Sequence, residues 1–173
     1  VFDFDDPIVY STHGSGRRMS FSRALKFSRW LKRCDAALAA NEYLAALARP
    51  YCREVVVQPM AVQPPAETPP RADGPVELLW LGSRSTTRFL RMITGALDAL
   101  GRERGDVRLR LVGHEDVDAG AMEVDFCRWS PDEQDRALRQ CHVGLCPMPD
   151  TPWTRGKCPY KVLQYMAWGM AWV

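Results

Sequence analysis

The stretch Gly156-Lys157-Cys158-Pro159-Tyr160-Lys161-Val162-Leu163-Gln164-Tyr165-Met166-Ala167-Trp168-Gly169 joins a helix start to a polar stripe on an otherwise apolar helix. Pro159 suits a first helical turn and Gly169 a left-handed stop. Lys157, Lys161 and Gln164 fall at i, i+4 and i+7, which puts two ammonium groups and an amide on one face. Free backbone N–H groups and the helix dipole favour negative charge at that end, so the stretch is a candidate seat for a phosphate or diphosphate. Taken alone, a partly buried helix with two solvated lysines fits equally well.

The elements that must position this stretch alternate between strand and helix. After a proline-rich segment the pattern predicts a strand from Glu77 to Leu81, a turn at Gly82-Ser83 and a helix from about Thr87 to Leu100. A strand from Val107 to Val112, a turn at Gly113 and a short strand near Val124 follow. Ser130-Pro131-Asp132-Glu133 reads as a capped helix start, Val143 to Cys146 as a strand, and Met170 to Val173 as the beginning of another. Such alternation predicts a parallel sheet with right-handed crossovers, in which ligands sit beyond the carboxyl ends of the strands where strand order reverses. Three loops are thereby expected in one crevice: Gly82 to Thr86, Gly113-His114-Glu115, and Pro147 to Lys157. The first offers a glycine for close approach, hydroxyls, and the Arg84 guanidinium at a helix N-terminus; an ordinary capping turn reads equally well from that loop alone.

Earlier in the chain, Val1 to Phe4 is a strand candidate, followed by the loop Ser11 to Gly16. Phe21 to Cys34 is an amphipathic helix with Arg23, Lys26, Arg29, Lys32 and Arg33 mostly on its outer side. Asp35 to Leu38 and Val55 to Val57 are short strand candidates, and Asn41 caps a helix from Glu42 to Arg49. Six prolines between Pro59 and Pro75 allow neither helix nor ladder, so residues 1–58 and 76–173 are expected to be separate domains joined by a linker, 59–75.

An apolar share of 46% is that of a globular protein with a real core. The net charge of +2 is too small to argue for nucleic acid, but seven Lys or Arg and no acid lie between Pro7 and Cys34. That basic helix, 21–34, fits peripheral contact with anionic lipid; a solvated face packing on its own domain is the plainer reading. Six irregularly spaced cysteines read as reduced thiols of a cytoplasmic protein and match no common metal site. No apolar run approaches about 18 residues. The start at Val1 and the stop just past Gly169 suggest a fragment cut at both ends, inactive by itself.

A resemblance is carried by Val1-Phe2-Asp3-Phe4-Asp5-Asp6, Asn41-Glu42-Tyr43-Leu44 and Leu79-Trp80-Leu81-Gly82-Ser83. It is carried most by Gly144-Leu145-Cys146-Pro147-Met148-Pro149-Asp150, running on to Trp153, Gly156-Lys157 and Lys161 to Ala167. In these the chain resembles the GT-B-fold retaining glycosyltransferases of family four, also called group 1. The resemblance implies an α/β chain made of the end of an N-terminal Rossmann-like domain plus an incomplete C-terminal doubly wound parallel-sheet domain. It also implies a nucleotide-sugar donor bound mostly by the latter, a saccharide or lipid-linked acceptor, and transfer without a bound metal or other cofactor. By position, Gly82, Ser83 and Lys157 or Lys161 would lie at the donor diphosphate, Asp150 near the donor sugar, and Gln164 and Tyr165 near the nucleotide ribose. Gln164 stands where the second acid of the family's Glu-seven-residues-Glu motif is common, Gly156 in place of the first, and Ala171 where proline usually follows. An amide still bonds a ribose hydroxyl but cannot act as a base.

Residue chemistry adds that Lys157, Lys161, the Gly82-Ser83 amides and Arg84 or Arg88 are the donors available to meet charge growing on a leaving diphosphate. His13, in its Gly/Ser loop, is the acceptor-side group with a suitable titration range. Two rival readings stay open. One is a GT-B module that binds a nucleotide without turnover, since the acids are missing. The other is a haloacid-dehalogenase-type phosphatase using Asp3 and Asp5 as nucleophile and proton donor.

Overall fold

Short aliphatic runs bounded by Gly, Pro or Asp become parallel strands in the structure, a computed structural model that describes all 173 residues except 12–17, 69, 72, 115 and 116. In chain order these elements are β1 (Phe2–Phe4), α1 (Phe21–Leu31), β2 (Ala36–Ala39), α2 (Glu42–Ala48), β3 (Glu54–Val57), β4 (Val76–Leu81) and α3 (Thr87–Leu90). A 3-10 turn at Arg91–Ile93 leads to α4 (Thr94–Glu103), β5 (Val107–Val112), β6 (Glu123–Cys127), α5 (Pro131–Gln140) and β7 (Val143–Gly144). The chain ends with α6 (Pro152–Arg155), α7 (Tyr160–Ala167) and β8 (Ala171–Trp172). The fold is mixed α/β with two all-parallel sheets. The residues group into two units, Val1–Ala61 with Pro149–Pro159, and Val62–Met148 with Tyr160–Val173.

In the first unit the strands run in the order β1-β2-β3. The alanines of β2 leave room for helices to lie close, and Phe4, Phe27, Leu31 and Leu44 fill the core around Ala37 and Ala39. Phe4 and Phe27 meet edge to face with ring centres 5.2 Å apart. The basic helix is shorter than its pattern suggests. It tightens after Leu31 through bonds from Arg33 N–H to Trp30 and Cys34 N–H to Leu31. Asn41 caps α2, its side-chain oxygen accepting from Leu44 N–H at 2.9 Å.

In the second unit the order β6-β5-β4-β7-β8 puts β4 at the centre, with the chain winding outward through β5 and β6 and then returning to the other side. Both faces are covered. Leu78 and Trp80 pack with Leu90, Leu97, Leu109 and Leu111, whereas Leu79 and Leu81 pack with Val112, Leu138 and Tyr165. That is why the strand sequence is apolar without alternation.

Three expectations change. The helix from Thr87 to Leu100 is interrupted at Ile93, whose φ of −112° and ψ of 7° are not helical; the helix after the first loop therefore has only four residues. Pro147 to Lys157 is not simply a loop, because Thr151 and Thr154 form a reciprocal capping box that starts α6 at Pro152. The final helix begins at Tyr160, so Lys157 does not share a face with Lys161 and Gln164. Between β3 and β4 the described residues contain no helix or strand, as the prolines require. Yet the stretch is anchored: Arg71 donates to the carbonyls of Leu138 at 2.6 Å and Arg139 at 2.7 Å, and to that of Trp168. One guanidinium thus answers orphan carbonyls at the ends of α5 and α7.

Candidate functional site

The second unit holds a cavity of about 810 Å³ at the carboxyl ends of its strands. Leu81, Gly82, Ser83, Arg84 and Thr86 line it from the loop after β4, and Gly113 and His114 from the loop after β5. Trp129 and Gln134 line it from the start of α5, and Tyr160, Lys161 and Gln164 from α7. This volume lies within the range that holds a drug-sized ligand.

The backbone at its floor is drawn close. A Cβ on Gly82 would run into the Trp80 indole, and one on Gly113 into the Gly82 carbonyl oxygen. Gly113 also has φ +119°, which a side chain disfavours. The two glycines let the loops after adjacent strands approach at backbone level. The Gly82 and Ser83 amides, expected as anion donors, both have partners within the protein. Gly82 N–H donates to Val112 O at 3.0 Å, prolonging the ladder, and Ser83 N–H to Thr86 Oγ1 at 3.0 Å. The Ser83 carbonyl in turn accepts from Thr86 N–H and Thr87 N–H, and Ser83 Oγ lies 2.9 Å from Ser85 Oγ. Gly82 and Ser83 thus shape the wall, and Arg84, exposed, supplies its charge.

On α7, Lys161 and Gln164 stand at i and i+3 and both face the cavity. The Lys161 ammonium lies 5.4 Å from the centre of the Trp80 ring, which holds the cation against an aromatic wall. Gln164 is only 7% exposed. Tyr165 does not line the cavity. It is wholly buried over Gly144, where a Cβ would strike its ring, and its hydroxyl lies 3.4 Å from both Leu81 N and Leu145 O. Burial pushes its phenol well above the ordinary value, so it remains a neutral group tying β4 to the strand beside it.

The remaining expected residues lie in the first unit or outside the described residues. Lys157 is paired with Asp6 at 2.9 Å and lies 4.5 Å from the centre of the Trp153 ring, so its charge is already matched within that unit. Asp150, exposed, is gripped by Arg155 through two bonds of 2.6 and 2.7 Å. Gly156 is buried against Pro7 and Tyr43, and its carbonyl accepts from Asn41 Nδ2 at 3.0 Å. His13 lies outside the described residues. Asp3 falls inside β1 with its side chain exposed, and Asp5 just past the strand. Among the described residues no three His, Cys, Asp or Glu side chains converge as metal ligands, and no helix is long and apolar enough to cross a membrane.

Residue reasoning gives no role to Trp129, Gln134 or Tyr160. His114, directly after Gly113, lines the cavity from the loop that the strand-end rule places in the crevice. Its Nε2 is buried and has no hydrogen-bond partner among the described residues. Trp129 precedes a recognisable cap at the end of a strand, a position that the strand-end rule alone would have flagged.

No protein-family model matches the chain, and no curated protein sequence does. Solved structures do. The lipopolysaccharide outer core galactosyltransferase WaaB, apo form, is 16% identical with a TM-score of 0.52, over 88% of this chain and 61% of that one. A TarM mutant of S. aureus, solved with Fondaparinux, alpha-GlcNAc-glycerol and UDP, is 7% identical with a TM-score of 0.66, over 95% and 34%. Sucrose-phosphate synthase from Thermosynechococcus elongatus is 17% identical with a TM-score of 0.62, over 92% and 45%. This chain therefore spans between 34% and 61% of the length of these structures. At such identities the likeness is one of fold, and the fold is that of the GT-B glycosyltransferases.

Proposed function

We propose that the protein transfers a sugar from a nucleotide-sugar donor, and that the cavity of the second unit holds the donor's diphosphate. The observation that carries the reading is a cavity in a GT-B-type fold where Lys161, Arg84 and Gln164 converge beyond the carboxyl ends of β4 and β5. In the reaction the bond from the anomeric carbon to the diphosphate oxygen breaks and a bond to the acceptor oxygen forms. The acceptor's proton passes to a base, and the nucleoside diphosphate leaves. Most of the difficulty is charge growing on the leaving oxygen, which Lys161 and Arg84 are suited to meet; the Gln164 amide suits a ribose hydroxyl.

His13 and Asp150 are the proposed catalytic side chains, the first as acceptor-side base and the second beside the donor sugar. Retention of configuration and transfer without a bound metal belong to the same reading. The test is calorimetry with nucleoside diphosphates alongside radiolabelled sugar transfer. Binding with turnover that His13→Ala or Asp150→Asn slows, at unchanged diphosphate affinity, supports it; binding without turnover to any acceptor supports a non-catalytic nucleotide module instead.

The proposal extends to a surface. Phe21, Leu25 and Trp30 stay exposed on α1 among Lys26, Arg29, Lys32 and Arg33, a mixture suited to an anionic lipid surface. Co-sedimentation with anionic but not neutral vesicles, weakened by salt, is the expected result; indifference to lipid charge removes this part.

A further inference from the structure

Helices α5 and α7 both start at the cavity and run away from it. Gln134 lines it from the first turns of α5, and Tyr160, Lys161 and Gln164 from the first turns of α7. The far ends of both helices meet a single side chain. Arg71, in the proline-rich stretch before β4, donates through Nη1 to the carbonyls of Leu138 at 2.6 Å and Arg139 at 2.7 Å, and through Nη2 to that of Trp168. A cation is favoured there, because helix C-termini carry unpaired carbonyls and the negative end of the dipole. The stretch meets α7 a second time, since a Cβ on Gly169, the left-handed stop, would run into Thr68. One guanidinium thus joins two helices whose other ends line the cavity. With only eight residues, α7 is short enough for one end to steer the other. Lys161 lies seven residues before Trp168, about 10 Å along the axis. Pivoting α7 by about 10° at its far end shifts Lys161 by roughly 2 Å, enough to carry a hydrogen-bonding group out of range of its partner.

We propose that Arg71 is a positioning residue for the ligand-facing groups of α7, so that docking of the proline-rich stretch and binding of a diphosphate favour each other. This rests on the reading of the cavity as a diphosphate site and adds what holds that site in shape. The coupling is reciprocal: whatever factor Arg71 contributes to ligand affinity, the ligand returns to the docking of Arg71.

The experiment has two readouts. The first is calorimetry of the full chain with UDP and pyrophosphate on wild type, Arg71→Met and Val107→Ala. Val107, buried at the amino end of β5, is a control that lowers stability at the opposite end of the sheet from the cavity. Arg71→Met is expected to raise the Kd of both probes about 5- to 20-fold, and Val107→Ala to leave it within about twofold. A Kd for Arg71→Met within twofold of wild type, or equal weakening by the two substitutions, overturns the inference. The second readout uses the wild-type chain, so it does not depend on a variant that folds. Arg71 is the only Lys or Arg between Pro59 and Pro75, and trypsin must draw its guanidinium away from the three carbonyls to cut after it. Saturating pyrophosphate is expected to slow the initial rate of that cut by the same factor of about 5 to 20, and Lys161→Met at the same pyrophosphate concentration to lose the protection. A cutting rate that pyrophosphate leaves unchanged, in wild type that binds it by calorimetry, overturns the role of Arg71 while leaving the diphosphate site standing. Wild type that binds neither probe overturns both.

Discussion

The two lysines that the sequence places side by side should behave differently. Lys161 lines the cavity from α7 with its ammonium 5.4 Å from the Trp80 ring centre, whereas Lys157 is matched to Asp6 at 2.9 Å in the first unit. Two unit charges about 4 Å apart interact by roughly 4 kcal/mol at an effective dielectric of 20. After desolvation, a hydrogen bond to a charged group is worth about 1.5–3 kcal/mol net. Lys161→Met is accordingly expected to raise the Kd for nucleoside diphosphates about 10- to 100-fold. It should also flatten the salt dependence of binding, since one phosphate-facing charge is gone. The lost cation–π contact with Trp80 contributes about 0.5–1 kcal/mol to its cost in stability. In Lys157→Met the pair with Asp6, whose side chain is 41% exposed, contributes at most about 1 kcal/mol to stability, and the Kd should stay within about twofold. Calorimetry with UDP and pyrophosphate, beside urea denaturation of each variant, measures both quantities. Equal weakening by the two substitutions, or weakening by Lys157→Met alone, would refute the assignment of the anion site to α7.

Gly113→Ala places a Cβ against the Gly82 carbonyl at a φ of +119°, so it should cost about 2–3 kcal/mol in urea denaturation and weaken nucleotide binding by displacing the loop wall. Arg71→Met strips partners from three carbonyls at the ends of α5 and α7, with an expected loss of about 2–3 kcal/mol that Arg71→Lys does not recover, since one ammonium cannot reproduce the planar fork. Burial first, and the Tyr10 hydroxyl second, push the Tyr43 phenol from 10.0 up to about 12. The unfolded chain then ionises first, so this contribution to stability is complete below pH 10 and is lost as pH rises toward 12. Ultraviolet difference titration should show Tyr43 ionising late, and Tyr43→Phe should reduce the alkaline loss of stability; an ordinary titration in the native protein contradicts this.

How far the site could be read before the fold was known depended on whether the signal was local. β5 occupies Val107–Val112 as the apolar alternation indicates, Ser130 and Asn41 cap the helices they precede, and Gly169 takes the left-handed conformation with φ +67°. Each follows from a few neighbouring residues and a fixed backbone rule. The interruption near Ile93 did not show, because the apolar periodicity runs on through Leu97 and Leu100 as if the helix were continuous. Lys157 was misplaced for a similar reason. An i, i+4 spacing is meaningful only inside one helix, and Thr151-Pro152 opens a separate short helix that closes at Gly156 before α7 begins.

Tyr165 marks the limit of positional reasoning about ligands. It sits next to Gln164, and a match of sequence position puts both at the ribose, but neighbours on a helix point about 100° apart. Gln164 turns to the cavity and Tyr165 to the sheet, where its ring fills the space that Gly144 leaves. The glycine inside a two-residue strand was the available sign, since a strand glycine often marks a close approach. The same logic explains the floor of the cavity. Gly82 yields to the Trp80 indole and Gly113 to the Gly82 carbonyl, so these glycines admit protein atoms. With the Gly82 and Ser83 amides already donating within the protein, the proposed diphosphate site would draw its charge from the side chains of Lys161 and Arg84. Affinity for a diphosphate should then depend on salt and on those two residues more than on the backbone of the loop.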